Sequence, residues 1–230
     1  MLKSVRRLLA LQVVKFKNRG RSPREIFDGI YARGGWGRQS TGGGVVSSGV
    51  GSEPSNSVKY EETIAEIIRR ESYRSVLDIG CGDFQVSRRI LDRCGPEVSY
   101  IGLDASEVIV KRNQAEHGNE RVRFAVADAT EDQLPAADCV LIREVLQHLS
   151  NAAVARVLAN LGGHANVYVT NTVCTNARKI NVDIPTGPTT RVALKSGLML
   201  DRPPFSRTVE EVLRVPHSNG EAEIVTVKLK

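Results

Sequence analysis

The chain has 230 residues, of which 41% are apolar and 25% charged, enough for one large domain with a sizeable core. No run approaches the ~20 consecutive apolar residues of a membrane span, which excludes a transmembrane protein. The four cysteines show neither CxxC nor zinc-finger spacing, so a disulfide scaffold or a zinc ribbon is not indicated. Scattered free thiols predict a cytoplasmic location. They are Cys81, Cys94, Cys139 and Cys174.

The positive charge is confined to the start of the chain. Residues 1–24 hold eight basic side chains and no acidic one, and removing these eight charges from the net +6 leaves −2 for the remaining residues. A nucleic-acid groove across the body of the protein is therefore not expected.

Residues 2–17 are predicted to form a short amphipathic helix, because Leu2, Val5, Leu8, Leu9 and Val13 fall near one face. Three interpretations are open. The helix docks on the body or on a partner subunit of a homo-oligomer, it lies peripherally on a membrane surface, or it is a cleaved transit peptide.

A Gly- and Ser-rich stretch follows at residues 34–52, where eight of 19 residues are Gly and four are Ser. It is interpreted either as a flexible linker or as a mobile lid that closes over a ligand. Trp36, the only tryptophan, is assigned to the ligand-binding side of this lid, where its ring offers a stacking face. Residues 1–56 thus form a basic helix and lid ahead of a domain at 57–230.

Within that domain, helices and short β-rich runs alternate up to residue 171, which predicts a parallel sheet covered on both faces. The predicted helices are 57–71, Gln85–Cys94, Glu107–His117 and Asn151–Leu161. The predicted strands are Ser75–Ile79, Val98–Leu103, Val122–Ala127, Ala137–Ile142 and Asn166–Thr170.

The region after residue 171 breaks this rhythm. Residues 172–207 are rich in Pro and Gly and are expected to be an acceptor-binding insert. Glu211–Val215 and Glu223–Lys230 are expected to pair as a hairpin across the turn at Ser218–Gly220. The predicted fold is α/β, a three-layer Rossmann-like sandwich with a mostly parallel sheet and one C-terminal antiparallel strand.

The strongest chemical signal is a strand that ends in a Gly-x-Gly turn, Asp78-Ile79-Gly80-Cys81-Gly82. Open α/β sheets bind ligands at the carboxyl ends of their strands, where this turn lies. Asp104 follows the second predicted strand, where a carboxylate accepts both ribose hydroxyls, and Asp128 follows the third, where one accepts the amine of adenine. These acids predict a nucleoside pocket, with Cys81, Ala105 and Ala129 beside them.

Two features decide which nucleoside ligand is expected. A dinucleotide fold needs a third glycine where Gln85 stands, so a nicotinamide-dependent oxidoreductase is the weaker alternative. Asp78 would repel a pyrophosphate but not a cationic sulfonium. Here the sequence resembles the class I S-adenosylmethionine-dependent methyltransferases, whose first motif matches Leu77–Gly82. A third glycine usual in that family falls at Phe84, which implies a narrower crevice.

The resemblance covers about residues 57–171 and includes Arg143-Glu144-Val145-Leu146-Gln147-His148-Leu149. It implies that Arg143 and Glu144 lie where the methionine part of the cofactor meets the acceptor. His148, expected one helical turn beyond Glu144, is the candidate general base, and both residues are assigned to catalysis. A divalent metal such as Mg²⁺ is compatible with Glu144 and His148 but is not indicated, because no carboxylate trio has the spacing of a site.

The resemblance predicts methyl transfer from S-adenosylmethionine to a hydroxyl of a small molecule. The polar insert, with six basic residues and the single aromatic Phe205, favours a sugar or another polyhydroxylated acceptor, and the Gln-His-Leu sequence is similar to bacterial sugar O-methyltransferases. A protein or nucleic-acid methyltransferase and a catalytically silent binding subunit are the alternatives.

Overall fold

The computed structural model describes residues 11–36 and 48–230. Its centre is a seven-stranded sheet in the order β3-β2-β1-β4-β5-β7-β6. The strands are β1 Ser75–Ile79, β2 Ser99–Asp104, β3 Val122–Val126, β4 Cys139–Arg143, β5 Val167–Cys174, β6 Val209–Pro216 and β7 Ala222–Leu229. Strand β7 runs antiparallel to both neighbours, and the other pairs are parallel.

Helices cover both faces of the sheet. They are α1 Pro23–Ala32, α2 Pro54–Arg70, α3 Gln85–Cys94, α4 Glu107–His117 and α5 Asn151–Asn160. Successive side chains of a strand point to opposite faces, so Val76 packs in a core under α2, α3 and α4, whereas Leu77 packs in a core with α5 and the insert. The predicted three-layer fold with its C-terminal antiparallel strand is confirmed.

The observed bounds follow the predicted ones closely in the central region. Strand β1 and helices α3 and α4 have the predicted limits, whereas α2 begins at Pro54 rather than at residue 57. Strand β5 continues four residues beyond Thr170 because Asn171–Cys174 pair with Ala222–Val225 of β7. A sequence pattern does not reveal this partner, which lies about 50 residues away along the chain.

The N-terminal region holds one helix that the sequence analysis missed. Helix α1 begins with a capping box, in which the Ser22 hydroxyl accepts from the Glu25 amide and the Glu25 carboxylate accepts from the Ser22 amide, with Pro23 at the first position. Of the predicted helix at 2–17, residues 11–17 are helical, and residues 1–10 lie outside the described part. So do residues 37–47 of the Gly-rich stretch. No helix within residues 11–36 and 48–230 is long and apolar enough to cross a membrane.

Candidate active site

A cavity of about 380 Å³ opens at the carboxyl ends of β1, β2 and β4. It collects side chains that are distant in the sequence, as expected for the edge of a parallel sheet. Every residue assigned to a site from the sequence lines it: Trp36, Asp78, Gly80, Cys81, Gly82, Asp104, Ala105, Asp128, Ala129, Arg143, Glu144 and His148.

The Gly-x-Gly turn after β1 is fastened to the end of β2. The amides of Gly80 and Cys81 both donate to the carbonyl oxygen of Leu103, at 2.7 and 2.9 Å. Gly80 has φ +74°, and a Cβ there would lie 2.2 Å from Cγ2 of Val145. Only glycine fits this left-handed, crowded position, so the turn leaves main-chain atoms facing the cavity.

Three carboxylates face the cavity from the ends of neighbouring strands. Asp78 accepts from the Ser87 hydroxyl at 2.5 Å and the Tyr100 hydroxyl at 2.7 Å, and its burial raises its pKa. Asp104 accepts from the amides of Gly82 and Ser106. Burial raises the pKa of Asp104 to about 6, although these two amides act in the opposite direction.

Asp128 supplies a direct test of whether a nucleoside fits. Its Oδ1 accepts from the amide of Thr130 at 2.9 Å, but its buried Oδ2 has no hydrogen-bond partner. A buried carboxylate oxygen without a donor is costly, and the exocyclic amine of adenine is a donor of the required kind. The unpartnered acceptor on Asp128 therefore fits the adenine of S-adenosylmethionine, the cofactor that the sequence predicts.

The segment 48–52 forms one wall of the cavity and is held by several polar groups. The Ser48 amide donates to Oδ2 of Asp83 at 3.0 Å, and the Asp83 amide donates to the Ser48 hydroxyl at 2.7 Å. Arg143 donates to the carbonyl oxygen of Gly51, and Arg89 donates to the carbonyl oxygen of Ser52. The sequence analysis missed Ser48 and Asp83, whose pairing spans 35 residues. Phe27 and Tyr31 of α1 also line the cavity.

Asn56 joins this wall to the C-terminal hairpin. Its Nδ2 donates to the carbonyl of Val50 and the hydroxyl of Ser218, both at 3.0 Å, and its Oδ1 accepts from the Ser218 amide at 2.8 Å. Asn56 is 4% exposed. The hairpin turn adds His217 and Asn219 to the cavity lining, and the sequence analysis predicted neither.

Glu144 is held in an uncommon backbone conformation. Its φ is +60°, a left-handed conformation that carries strain and is concentrated at functional sites. Its carboxylate accepts from the Thr172 hydroxyl at 2.9 and 3.0 Å and from Nε2 of Gln147 at 2.7 Å. The carboxylate is thereby fixed at the cavity wall.

His148 lies in a different local structure from the predicted one. The expected helical turn from Glu144 to His148 is wrong, because Glu144 is left-handed and only Leu146–His148 form a 3-10 helix. The His148 ring meets Trp36 edge-on, with 4.5 Å between centroids. The pKa of His148 is lowered to about 4, first because the ring is buried and also because Arg191 lies nearby, against the raising effect of backbone groups at 187–189.

The expectation that Phe84 narrows the crevice is wrong. Its ring lies between those of Tyr100 and Phe124, with 5.0 Å between centroids in each case, and Phe84 does not line the cavity. Its φ of +64° explains why the related motif has glycine there.

The insert 172–207 contributes less polarity to the cavity than expected. Only Thr172, Pro188, Thr190 and Val192 of this segment line it. Arg191 is fully buried and donates to the carbonyls of Leu146, Gln147 and Leu149. Phe205 packs against the hydrophobic core. These groups support the wall rather than face an acceptor.

No cluster of three or more His, Cys, Asp or Glu side chains that could hold a metal ion occurs in residues 11–36 and 48–230.

Comparison with known proteins agrees with this geometry. Residues 76–166 match the family model described as a methyltransferase domain. The curated relatives include the uncharacterized methyltransferases Rv0089 of Mycobacterium tuberculosis (strain H37Rv) and Mb0092 of Mycobacterium bovis. Each is 29% identical over 113 residues, 48% of this chain and 55% of the relative. The matched stretch thus spans about half the length of these relatives.

Solved structures share the fold at low identity. The N-terminal domain of EvdMO1, solved in the presence of SAH and D-fucose, is 15% identical with a TM-score of 0.51 over 74% of this chain and 81% of that one. Human N-acetylserotonin methyltransferase in complex with SAM is 14% identical with a TM-score of 0.52, over 92% of this chain and 61% of that one. The N-methyltransferase NodS of Bradyrhizobium japonicum is 14% identical with a TM-score of 0.52, over 78% of this chain and 99% of that one. Residues 76–166 therefore match a methyltransferase domain, within a fold shared with methyltransferases solved with SAM or SAH bound.

Proposed function

We propose that the protein transfers the methyl group of S-adenosylmethionine to a hydroxyl of a small polyhydroxylated molecule, a sugar or a similar metabolite. The observation that carries the proposal is the joint occurrence, in one cavity, of three strand-end carboxylates and a fourth carboxylate, Glu144, next to the glycine turn. The first three suit a nucleoside, and the fourth suits a hydroxyl that must lose its proton.

The cofactor half of the cavity has a group for each part of the ligand. Asp104 would accept the ribose hydroxyls, and the unpartnered Oδ2 of Asp128 would accept the adenine amine. Gly80 and Gly82 would lie against the methionine part, with Arg143 near its carboxylate. When bound, S-adenosylmethionine supplies a methyl group on a positively charged sulfur, so the protein contributes mainly position.

Polar side chains interrupt a cavity lining that is otherwise mostly apolar. Glu144, Thr172, Thr190, His217 and Asn219 all reach the cavity, and a hydroxyl-rich acceptor needs several such donors and acceptors. Trp36 offers a flat face for a ring. That the related fold of EvdMO1 was solved with D-fucose present is consistent with such an acceptor.

Two residues are candidates for the proton acceptor. His148 packs edge-on against Trp36, and its pKa is lowered to about 4. The Glu144 carboxylate lies in the cavity and is oriented by Thr172 and Gln147. We therefore assign the proton to Glu144 and give His148 a positioning role beside Trp36.

The test has a binding part and a transfer part. Calorimetric titration with S-adenosylmethionine and with its demethylated product is expected to show binding, strongly weakened in Asp104→Ala and unchanged in Asp92→Ala, an exposed acid of α3. Incubation with a panel of sugars, glycosides, phenols, amines, peptides and oligonucleotides and the methyl-labelled cofactor is expected to label a sugar or polyol on oxygen.

Each negative result has a distinct meaning. Absence of cofactor binding by the unaltered protein contradicts the whole proposal. Binding with labelling on nitrogen, nucleic acid, peptide or a phenol contradicts the acceptor half. Binding with no transfer to any member of the panel identifies a silent binding subunit and contradicts the catalytic claim.

A further inference from the structure

The start of the described chain exposes apolar side chains within a wholly basic stretch. Phe16 is 80% exposed and Val13 52% exposed, although both belong to the helix at residues 11–17. An isolated exposed apolar residue needs no explanation, but two on one short helix beside clustered positive charge form an amphipathic surface of the interfacial type.

The opposite face of the same helix is already docked. Leu11, Val14 and Asn18 are half-buried, and Nδ2 of Asn18 donates to the carbonyl of Thr186 at 2.9 Å. A Cβ on Gly187 would lie 3.2 Å from both Val14 and Asn18, so the backbone of the insert passes close to the helix. The fold thus uses one face of the helix and leaves the face with Val13 and Phe16 in solvent.

The charge around this face has a single sign. Between residues 11 and 24 the chain has five basic residues and no acidic one, and all five are exposed: Lys15, Lys17, Arg19, Arg21 and Arg24. A positive surface fits either a nucleic acid or an anionic lipid layer. An aliphatic Val13 next to Phe16 favours lipid, because acyl chains accept both side chains whereas nucleic acid offers Val13 nothing to insert into.

We propose that residues 11–24 are a docking surface for anionic phospholipid membranes, with Phe16 and Val13 entering the headgroup boundary and the basic side chains contacting lipid phosphates. This goes beyond the proposed methyl transfer and does not depend on it. The surface is close to the cavity, because the Gly187 amide donates to the carbonyl of His148 at 3.0 Å and Pro23 and Phe27 line the cavity wall. Docking would therefore place the cavity near the lipid surface.

The experiment is co-sedimentation of the full chain with vesicles of phosphatidylcholine, with and without about one-third phosphatidylglycerol. Binding is expected only to the anionic vesicles and is expected to fall steeply with salt. Lys15→Gln with Lys17→Gln is expected to weaken binding about 25-fold, about fivefold for each positive charge removed. Phe16→Ser is expected to weaken it several-fold.

Matched control variants remove side chains of similar type from other parts of the surface. Lys59→Gln with Lys111→Gln deletes two exposed lysines of α2 and α4, and Val108→Ser deletes another exposed apolar side chain. Both are expected to bind vesicles as the unaltered protein does. Circular dichroism verifies that each variant is folded.

The proposal is overturned if neutral and anionic vesicles sediment the protein equally or not at all. It is also overturned if the controls lose binding as much as the segment variants, since general charge would then be responsible. Salt-sensitive binding to duplex DNA or RNA, without binding to anionic vesicles, would assign the surface to nucleic acid instead.

Discussion

Asp104 is a carboxylate whose burial raises its pKa to about 6, inside the range in which proteins are handled. The proposed ribose contact uses the ionised form, which accepts at both oxygens. We therefore predict that S-adenosylmethionine affinity falls as pH falls through about 6, because the protonated acid must first lose its proton. Calorimetric titrations between pH 5 and about 7.5 measure this.

The control for this pH effect is Asp104→Asn, which keeps the shape but cannot ionise. It is expected to bind the cofactor more weakly at pH 7.5 and with little further loss toward pH 5. If the variant keeps the pH dependence of the unaltered protein, another group is responsible.

Substitutions at Glu144 and His148 are expected to reduce turnover by different amounts. Glu144→Gln is expected to reduce turnover by about 100-fold to 10,000-fold, the range for loss of a general base, while the affinity for cofactor changes little. His148→Asn is expected to reduce turnover less. Because the pKa of His148 is lowered to about 4, the imidazole stays neutral from pH 5.5 upward, and turnover should show no inflection near 6.5. Such an inflection, lost in His148→Asn, would restore His148 as the base.

The sequence predicted the residues that line the cavity better than those that hold its wall in place. Asp78, Asp104 and Asp128 could be found because each ends a readable strand and parallel strands end at one edge. Asn56 and Ser48 could not, because their roles depend on partners 162 and 35 residues away. His148 was found in its place, but its burial and low pKa depend on the insert that covers it.

At the scale of elements, the turn after β1 packs against the segment after β4. Gly80→Ala places a Cβ at φ +74° and 2.2 Å from Val145, and we predict a loss of about 2–4 kcal/mol in the free energy of unfolding from strain and overpacking. Urea unfolding measures it. Gly162→Ala, where nothing lies within 4 Å of the added methyl, is the control and should change stability by less than about 0.5 kcal/mol.

A double-mutant cycle separates the two causes. Adding Val145→Ala to Gly80→Ala removes the clash but not the backbone strain, so the pair should be more stable than the sum of the single effects by about 1–2 kcal/mol. Strict additivity would show that the Val145 contact is not the cause.

Elements were predictable where local pattern and tertiary context agree. The alternation of apolar runs gave β1, α3 and α4 their correct limits, since each is bounded by a turn residue or a change of period. The long β5 and the inward-facing Arg191 were not predictable. Strand β5 is extended by its pairing with β7. Arg191 is held inside because it donates to three carbonyl oxygens after β4, although an arginine is usually expected in solvent or at a ligand.

At the scale of the whole molecule, Asn56 connects the wall at residues 48–52 with the hairpin turn at residues 217–220. Asn56→Ala removes three hydrogen bonds and is expected to cost about 2–3 kcal/mol. Amide hydrogen exchange should rise in both segments together, and the demethylated cofactor should dissociate faster. Asn166→Ala, which removes a single exposed side-chain bond to Asp138, is the control. A rise in exchange confined to residues 48–52 would show that the two segments are not coupled.

This connection also sets an order of events during synthesis. The three carboxylates, the glycine turn and β4 are complete once residue 143 has left the ribosome, yet Asn56 gains its hairpin partner only when Ser218 has emerged and β6 and β7 have paired. A nascent chain would therefore hold an unfinished cavity through the translation of about 75 further residues. We expect the apolar side chains of this wall to stay exposed to solvent during that interval, until the hairpin has formed.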